Sequence, residues 1–160
     1  MSTATETLAA IREAPGLEEY LDALEERLAR SVASHPGLVA VVGNEALAAG
    51  GKRLRPLLVF LSTPAGEQPS IAAGVAVELV HMASLIHDDL IDRAHFRRGR
   101  GAAWSVYGPD AARATGDYLF ARAFAELAVA AKHDRAQVAR LHAEHSEIEV
   151  VLHREAEEES

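Results

Sequence analysis

Cysteine is absent from this 160-residue chain, which excludes disulfides and thiolate chemistry. Aromatic residues supply only 5% of the sequence, a poor composition for strands and their cross-strand pairs. Glycine and proline, 11 and 6 in number, are confined mostly to a few junctions and leave long stretches free of helix breakers. Positive charge is in deficit: 16 Lys and Arg against 24 Asp and Glu leave a formal charge of −8. With no broad basic face, the chain is unsuited to the usual modes of nucleic-acid binding. The N-terminus is polar and acidic and lacks the uninterrupted apolar core of a secretory signal. Elsewhere, apolar stretches are interrupted by charge short of the roughly 20 residues that cross a bilayer, so no transmembrane segment is expected. These absences point to a cytoplasmic location. What is present is apolar and helix-forming. Hydrophobic residues make up 49%, too many for wholesale disorder. The length is that of one domain with a sizeable core, and Ala, Leu and Glu favour an all-α fold.

The pattern along the chain agrees. Leu17, Leu21, Leu24 and Leu28 recur at helical spacing while Glu18, Glu19, Glu25 and Glu26 take other faces, predicting a helix from Leu17 to about Ser34. It packs either on its own domain or against another subunit. A short helix from Leu38 to Ala49 stops at Gly50-Gly51. Leu57 to Leu61 begins a core helix in which Pro56 suits the first turn. A longer helix runs from Pro69 or Ser70 to Asp92, with Val75, Leu79, Met82 and Ile86 as its buried stripe. Pro109 opens a helix containing Ala111, Thr115, Leu119, Ala123 and Leu127, with a break expected at Lys132-His133-Asp134 and a final amphipathic segment beyond. There, His142, His145 and Glu149 have helical spacing that formally permits a metal site, but a solvated acidic helix explains them more simply.

Chemistry concentrates between His81 and Gly99. Asp88, Asp89 and Asp92 form a DDxxD cluster on the long helix. Asp88 and Asp92 stand one turn apart on a common face, with Asp89 beside it. Like charges this close call for compensation, and magnesium suits them because it takes carboxylate oxygens together with substrate phosphate oxygens and waters. Arg97 and Arg98 follow, and guanidinium forks match phosphoryl oxygens. Upstream, Gly50-Gly51-Lys52-Arg53-Leu54-Arg55-Pro56 sets basic residues at a helix start behind two glycines. This is either an anion site made from unpaired backbone N–H groups and cations or an ordinary solvated turn.

GGKRLRP, the DDxxD segment with its arginine pair, and Gly116-Asp117-Tyr118-Leu119 occur together in this order. In these motifs the chain resembles the trans-isoprenyl diphosphate synthases, the polyprenyl synthetase family, over roughly residues 20–130. The resemblance implies a truncated isoprenoid-synthase-type helical bundle. Residues 1–160 would form a single helical domain corresponding to the N-terminal half of such an enzyme, with 1–16 and 155–160 as flexible ends. It also implies substrates and roles. Lys52, Arg55 and His81 would bind isopentenyl diphosphate, Arg97 the allylic prenyl diphosphate and Arg98 the homoallylic one. Asp88, Asp89 and Asp92 would carry Mg2+. Arg53 is expected to face solvent, and His87 to orient a neighbouring carboxylate. Asp117 is a polar contact near the site or a local helix partner. Ala83, with Ser84 beside it, would form part of the floor for the prenyl tail, and its small side chain favours a geranylgeranyl-length or longer product. Ala102-Ala103 departs from the Pro-Thr of many relatives, and Trp104 and Tyr107 are expected to pack this connection.

Full-length relatives carry a second aspartate-rich motif that closes the magnesium cluster from an opposing helix. No second DDxxD follows Asp92 in this sequence. The expectation is a protein that binds magnesium diphosphate and needs a partner, in a homo- or hetero-oligomer, for condensation. The alternatives are a non-catalytic prenyl-diphosphate-binding or assembly subunit, an inactive fragment, and a terpene cyclase-like fragment. GGKRLRP argues against the last, because a cyclase has no second diphosphate to hold.

Overall fold

A computed structural model of the chain describes residue 11 and residues 14–158, with side chains described as far as Lys132 and at Arg135. Helices α1 (Leu17–Ala33), α2 (Leu38–Ala48), α3 (Leu54–Leu61) and α4 (Ile71–Ile91) are followed by a two-stranded ladder, β1 (Phe96–Arg97) and β2 (Arg100–Gly101). Then come a short α5 (Ala103–Tyr107) and the long α6 (Pro109–Glu158). The protein is an all-α bundle apart from that ladder, which sequence periodicity does not reveal.

Helix α4 is the core element. Ser70 caps it, its Oγ accepting the Ala73 N–H at 3.2 Å. Its expected stripe of Val75, Leu79, Met82 and Ile86 is buried throughout. Opposite it lie Leu24, Leu28 and Val32 of α1 and Ala112, Leu119 and Ala123 of α6, all essentially inaccessible. The stripe of α1 is therefore consumed inside its own chain. Gly74 lets α1 sit close: a Cβ there would lie 2.1 Å from the Tyr20 hydroxyl. That hydroxyl donates to the Pro56 carbonyl at 3.2 Å, and burial pushes its pKa up to about 12, so it stays a donor at any physiological pH. Glu126 brings a buried charge onto α6, where Arg27 Nε (2.7 Å), Arg122 Nη2 (3.3 Å) and Ser31 Oγ (3.3 Å) donate to it.

Two expectations are corrected here. No break occurs at Lys132-His133-Asp134; α6 runs on through Glu158, since the sequence after Gly116 contains neither glycine nor proline to stop it. Second, α4 is long and apolar enough to cross a membrane by length and composition. Half of its apolar window is buried against the other helices, and its Glu78 is ion-paired, as befits the central helix of a bundle. The side chains of His142, His145 and Glu149 lie outside the described residues, as do residues 1–10, 12, 13, 159 and 160 of the ends.

Candidate functional site

The acidic motif sits where α4 ends. Asp92 is the C-cap, Arg93 takes φ 53°, and the Ala94 N–H reaches back to the Asp89 carbonyl at 2.9 Å. This is a Schellman-type stop made without glycine. It turns the chain sharply back, so the arginine pair returns alongside the aspartates. The return is a tight hairpin in which Phe96 pairs with Gly101 and Arg97 with Arg100. Its central residues, Arg98 and Gly99, have φ 50° and 76°, the signs that a type I′ turn demands.

The three aspartates do not converge. Asp89 points inward, its side chain 7% exposed, and accepts from Arg97 Nε at 2.7 Å. That bond holds the Arg97 guanidinium still more firmly in its charged form. Asp88 and Asp92 are exposed. Among the described residues no three His, Cys, Asp or Glu side chains are gathered as a metal cluster. The physical reason is helical phase: one residue advances about 100°, so Asp89 leaves the face that Asp88 and Asp92 share.

The upstream loop meets the hairpin. Arg98 Nη1 donates to the Gly50 carbonyl at 2.9 Å. Lys52 and Arg55 are exposed. Arg53, expected in solvent, turns inward instead, with its side chain 13% exposed. It pairs with Glu25 on α1 through Nε and Nη2 and with Glu78 on α4 through Nη1, the last at 2.9 Å. Sequence reasoning missed this network. Its signal was Glu78 itself, a charge set among the buried positions Val75, Leu79 and Met82.

Together the loop, α2, α4 and the hairpin enclose a groove of about 770 Å³. Lys52, Arg53, Arg55, Arg97, Arg98 and Arg100 line it with His81, against only Glu45, Glu78 and Asp89. In a chain of net charge −8 this is a local reversal of sign, and Glu78 and Asp89 are already paired with arginines. His81 is held below its ordinary pKa by burial first and then by Arg55, with smaller opposing and supporting effects from Glu78, Arg98 and Arg97. Trp104 packs the connection as expected, its indole N–H donating to the Ala94 carbonyl at 2.8 Å, and the Tyr107 hydroxyl bonds Glu45.

A second groove of about 550 Å³ lies across the ridge formed by His81 and Leu85, which line both grooves together with Arg55. Its walls are mainly apolar, including Val77, Val80 and Leu127, with Ser84 and Asp88 along the same face of α4. Ser84 thus lines this groove. Ala83 does not: it is 0% exposed within the helix core, because five residues from Asp88 carries it about 140° off that face. His87 lies 3.4 Å from the Asp117 carboxylate on α6, packed over Gly116, where a Cβ would be 2.2 Å from its ring. The GDYL glycine is thus required by close packing, and the carboxylate that His87 meets belongs to α6 and not to the acidic motif.

Comparison with known proteins agrees with this architecture. The family model described as polyprenyl synthetase matches residues 37–154. The chain is 44% identical over 115 residues to component 2 of the heptaprenyl diphosphate synthase of Geobacillus stearothermophilus, covering 70% of this chain and 36% of that protein. It resembles the crystal structure of geranylgeranyl pyrophosphate synthetase from Pyrococcus horikoshii with a TM-score of 0.67 and 33% identity, over 79% of this chain and 38% of the other. Polyprenyl synthase from Caulobacter crescentus, crystallised with calcium and isoprenyl diphosphate, gives 0.64 and 32% over 69% of this chain and 35% of that one. The chain spans about a third of the length of the relatives it matches.

Proposed function

The chain belongs to the polyprenyl synthetase family, and from that premise we propose that these residues form a diphosphate-binding unit of the family's condensation site. The unit holds isopentenyl diphosphate and an allylic prenyl diphosphate with magnesium and does not join them unaided. The observation that carries this reading is the cation-lined groove facing an apolar one across the His81 ridge, a pairing suited to charged heads and a prenyl tail. Lys52, Arg55, His81 and Arg98 take the homoallylic diphosphate and Arg97 the allylic one. Asp88 and Asp92, exposed on one face of α4, suit magnesium, which commonly binds through one or two carboxylates plus substrate phosphates. Asp89 acts through Arg97. When bound, magnesium neutralises charge on the departing diphosphate.

In the family's reaction the allylic carbon–oxygen bond breaks and its electron pair leaves with the diphosphate. The double bond of isopentenyl diphosphate attacks the cation, and a proton is lost. This chain's residues contribute positioned positive charge where the leaving group gathers negative charge. A carbocation also requires exclusion of water, and the apolar groove is open beside the exposed Val80 and Leu127. A second acidic wall and a cover must come from outside these residues, from a separate polypeptide or a longer form of the chain. The small Ser84 leaves the apolar groove open, favouring geranylgeranyl-length or longer tails.

A second reading, a non-catalytic assembly subunit, is favoured by the exposed stripe Leu54, Leu58 and Leu61 on α3, which suits packing against another helical polypeptide. Two measurements separate these readings. In titrations with inorganic pyrophosphate, Asp88→Asn and Asp92→Asn should abolish the enhancement of binding by magnesium, whereas Asp89→Asn should weaken binding with and without the metal. A chain that is folded but blind to pyrophosphate favours the assembly role. In a prenyltransfer assay with isopentenyl and allylic diphosphates, the purified chain should be silent alone and active with extract of its source cells. Turnover by the chain alone would overturn the requirement for a second wall.

A further inference from the structure

Arg53 occupies a backbone conformation that its side chain must justify. Its φ and ψ of 49° and 38° are left-handed, a region that residues with a Cβ enter at a cost. It is also the N-cap of α3, its carbonyl accepting the Leu57 N–H at 2.9 Å. Relaxation of its backbone would therefore displace the start of that helix together with the loop before it. Opposing relaxation is a guanidinium held on two sides. Glu25 of α1 receives Nε and Nη2, and the buried Glu78 of α4 receives Nη1. The fork passes over Gly51, where a Cβ would lie 3.1 Å from Nη1 and 3.8 Å from Glu78. A side chain at 51 would thus press on the Arg53 guanidinium. The neighbours of Arg53 do the opposite: Lys52 and Arg55 are exposed. One residue before Gly51, the Gly50 carbonyl receives Arg98 from the hairpin.

We propose that Arg53 is a positioning residue: clamped between Glu25 and Glu78, it holds the Gly50–Arg55 backbone so that Lys52, Arg55 and Arg98 converge on one diphosphate. Its own charge is spent on the two carboxylates and not on the ligand. The alternating directions of Lys52, Arg53 and Arg55 divide the basic motif into an inward cation that sets geometry and outward cations that meet the anion. This rests on the diphosphate reading above for its ligand, but the holding of the loop stands or falls on its own measurement.

Glu25 is the informative position, because it lies on α1, is about half exposed and does not line either groove. Glu25→Gln removes one negative charge near the cations. If Arg53 met the anion directly, this variant would bind pyrophosphate more tightly, by simple electrostatics. If Arg53 positions the loop, the variant binds more weakly, by about fivefold, the effect of loosening one charged contact. Two readouts are taken on the full chain: calorimetric titration with inorganic pyrophosphate, and amide hydrogen exchange. Exchange at Gly51 to Leu54 should accelerate in Glu25→Gln while the amides of Val75 to Met82 keep the parent's protection. Arg53→Lys, which keeps the charge and loses the fork, should behave like Glu25→Gln in both. Unchanged loop exchange, or tighter pyrophosphate binding by Glu25→Gln, would overturn the proposal. If the parent binds no pyrophosphate, the diphosphate reading fails, and the exchange data alone then decide whether Arg53 holds the loop.

Discussion

At the scale of single residues, the site is governed by which charges are already paired. Asp89 is committed to Arg97 and Glu78 to Arg53, whereas Asp88, Asp92, Lys52 and Arg55 remain exposed. His81 stands between the two grooves and carries a pH dependence of known sign. Burial, and then the field of Arg55, lowers its pKa from the ordinary imidazole value of 6.5. Between that lowered value and 6.5 the unfolded chain binds more protons, so stability rises with pH across this window. The contribution of neutral His81 is complete above pH 6.5 and is lost as pH falls through the folded-state value. An NMR titration of the assigned His81 ring should give a midpoint below 6.5, moving upward when pyrophosphate is added, since an anion favours the imidazolium. A midpoint at or above 6.5 in the free chain would contradict the field described for the groove. Residue types in the motifs were legible in sequence, but pairings were not. Arg53 and Arg55 are the same amino acid two positions apart, and only the left-handed backbone at Arg53 sends one inward.

At the scale of elements, the fold depends on close contacts at glycine. Gly74 on α4 admits Tyr20 and Leu24 of α1, and an added Cβ would lie 2.1 Å from the Tyr20 hydroxyl and 2.7 Å from a Leu24 methyl. The hydroxyl is anchored to Pro56 and cannot simply swing aside. Gly74→Ala should therefore destabilise the chain by about 1–3 kcal/mol through overpacking, read as a lowered urea midpoint. Tyr20→Phe in the Gly74→Ala background should recover part of the loss, because the two changes act on one contact. An unshifted midpoint in Gly74→Ala would mean that α1 does not seat there. The helices themselves were readable because their apolar spacing and caps are local properties. The hairpin after α4 was not, since its turn is set by positive φ at Arg98, a residue with no intrinsic call for it. Nor was the continuity of α6, where charged residues resemble a boundary but break no helix.

For the whole molecule, the central question is the uncovered apolar surface. Leu54, Leu58 and Leu61 on α3, Val80 on α4, and Phe124 and Leu127 on α6 are all exposed, and Val80 and Leu127 line one groove. Self-association or capture of a helical partner is the expected consequence. Sedimentation equilibrium should show concentration-dependent association that the double change Leu58→Glu and Phe124→Glu reduces. A well-dispersed monomer at all concentrations would remove the case for a partner on this face.

The sequence by itself determined the helical class, the buried stripe of α4, the order of the three motifs and hence the family, because periodicity, capping and motif spacing are written along the chain. Only the tertiary structure decided that Asp89 serves Arg97, that Arg53 faces two glutamates, and that Ser84 rather than Ala83 lines the apolar groove. Those outcomes depend on helical phase and on partners brought from elsewhere in the chain. Glu25, Arg53 and Glu78 are separated by 28 and 25 residues, and no local pattern in the sequence records their meeting.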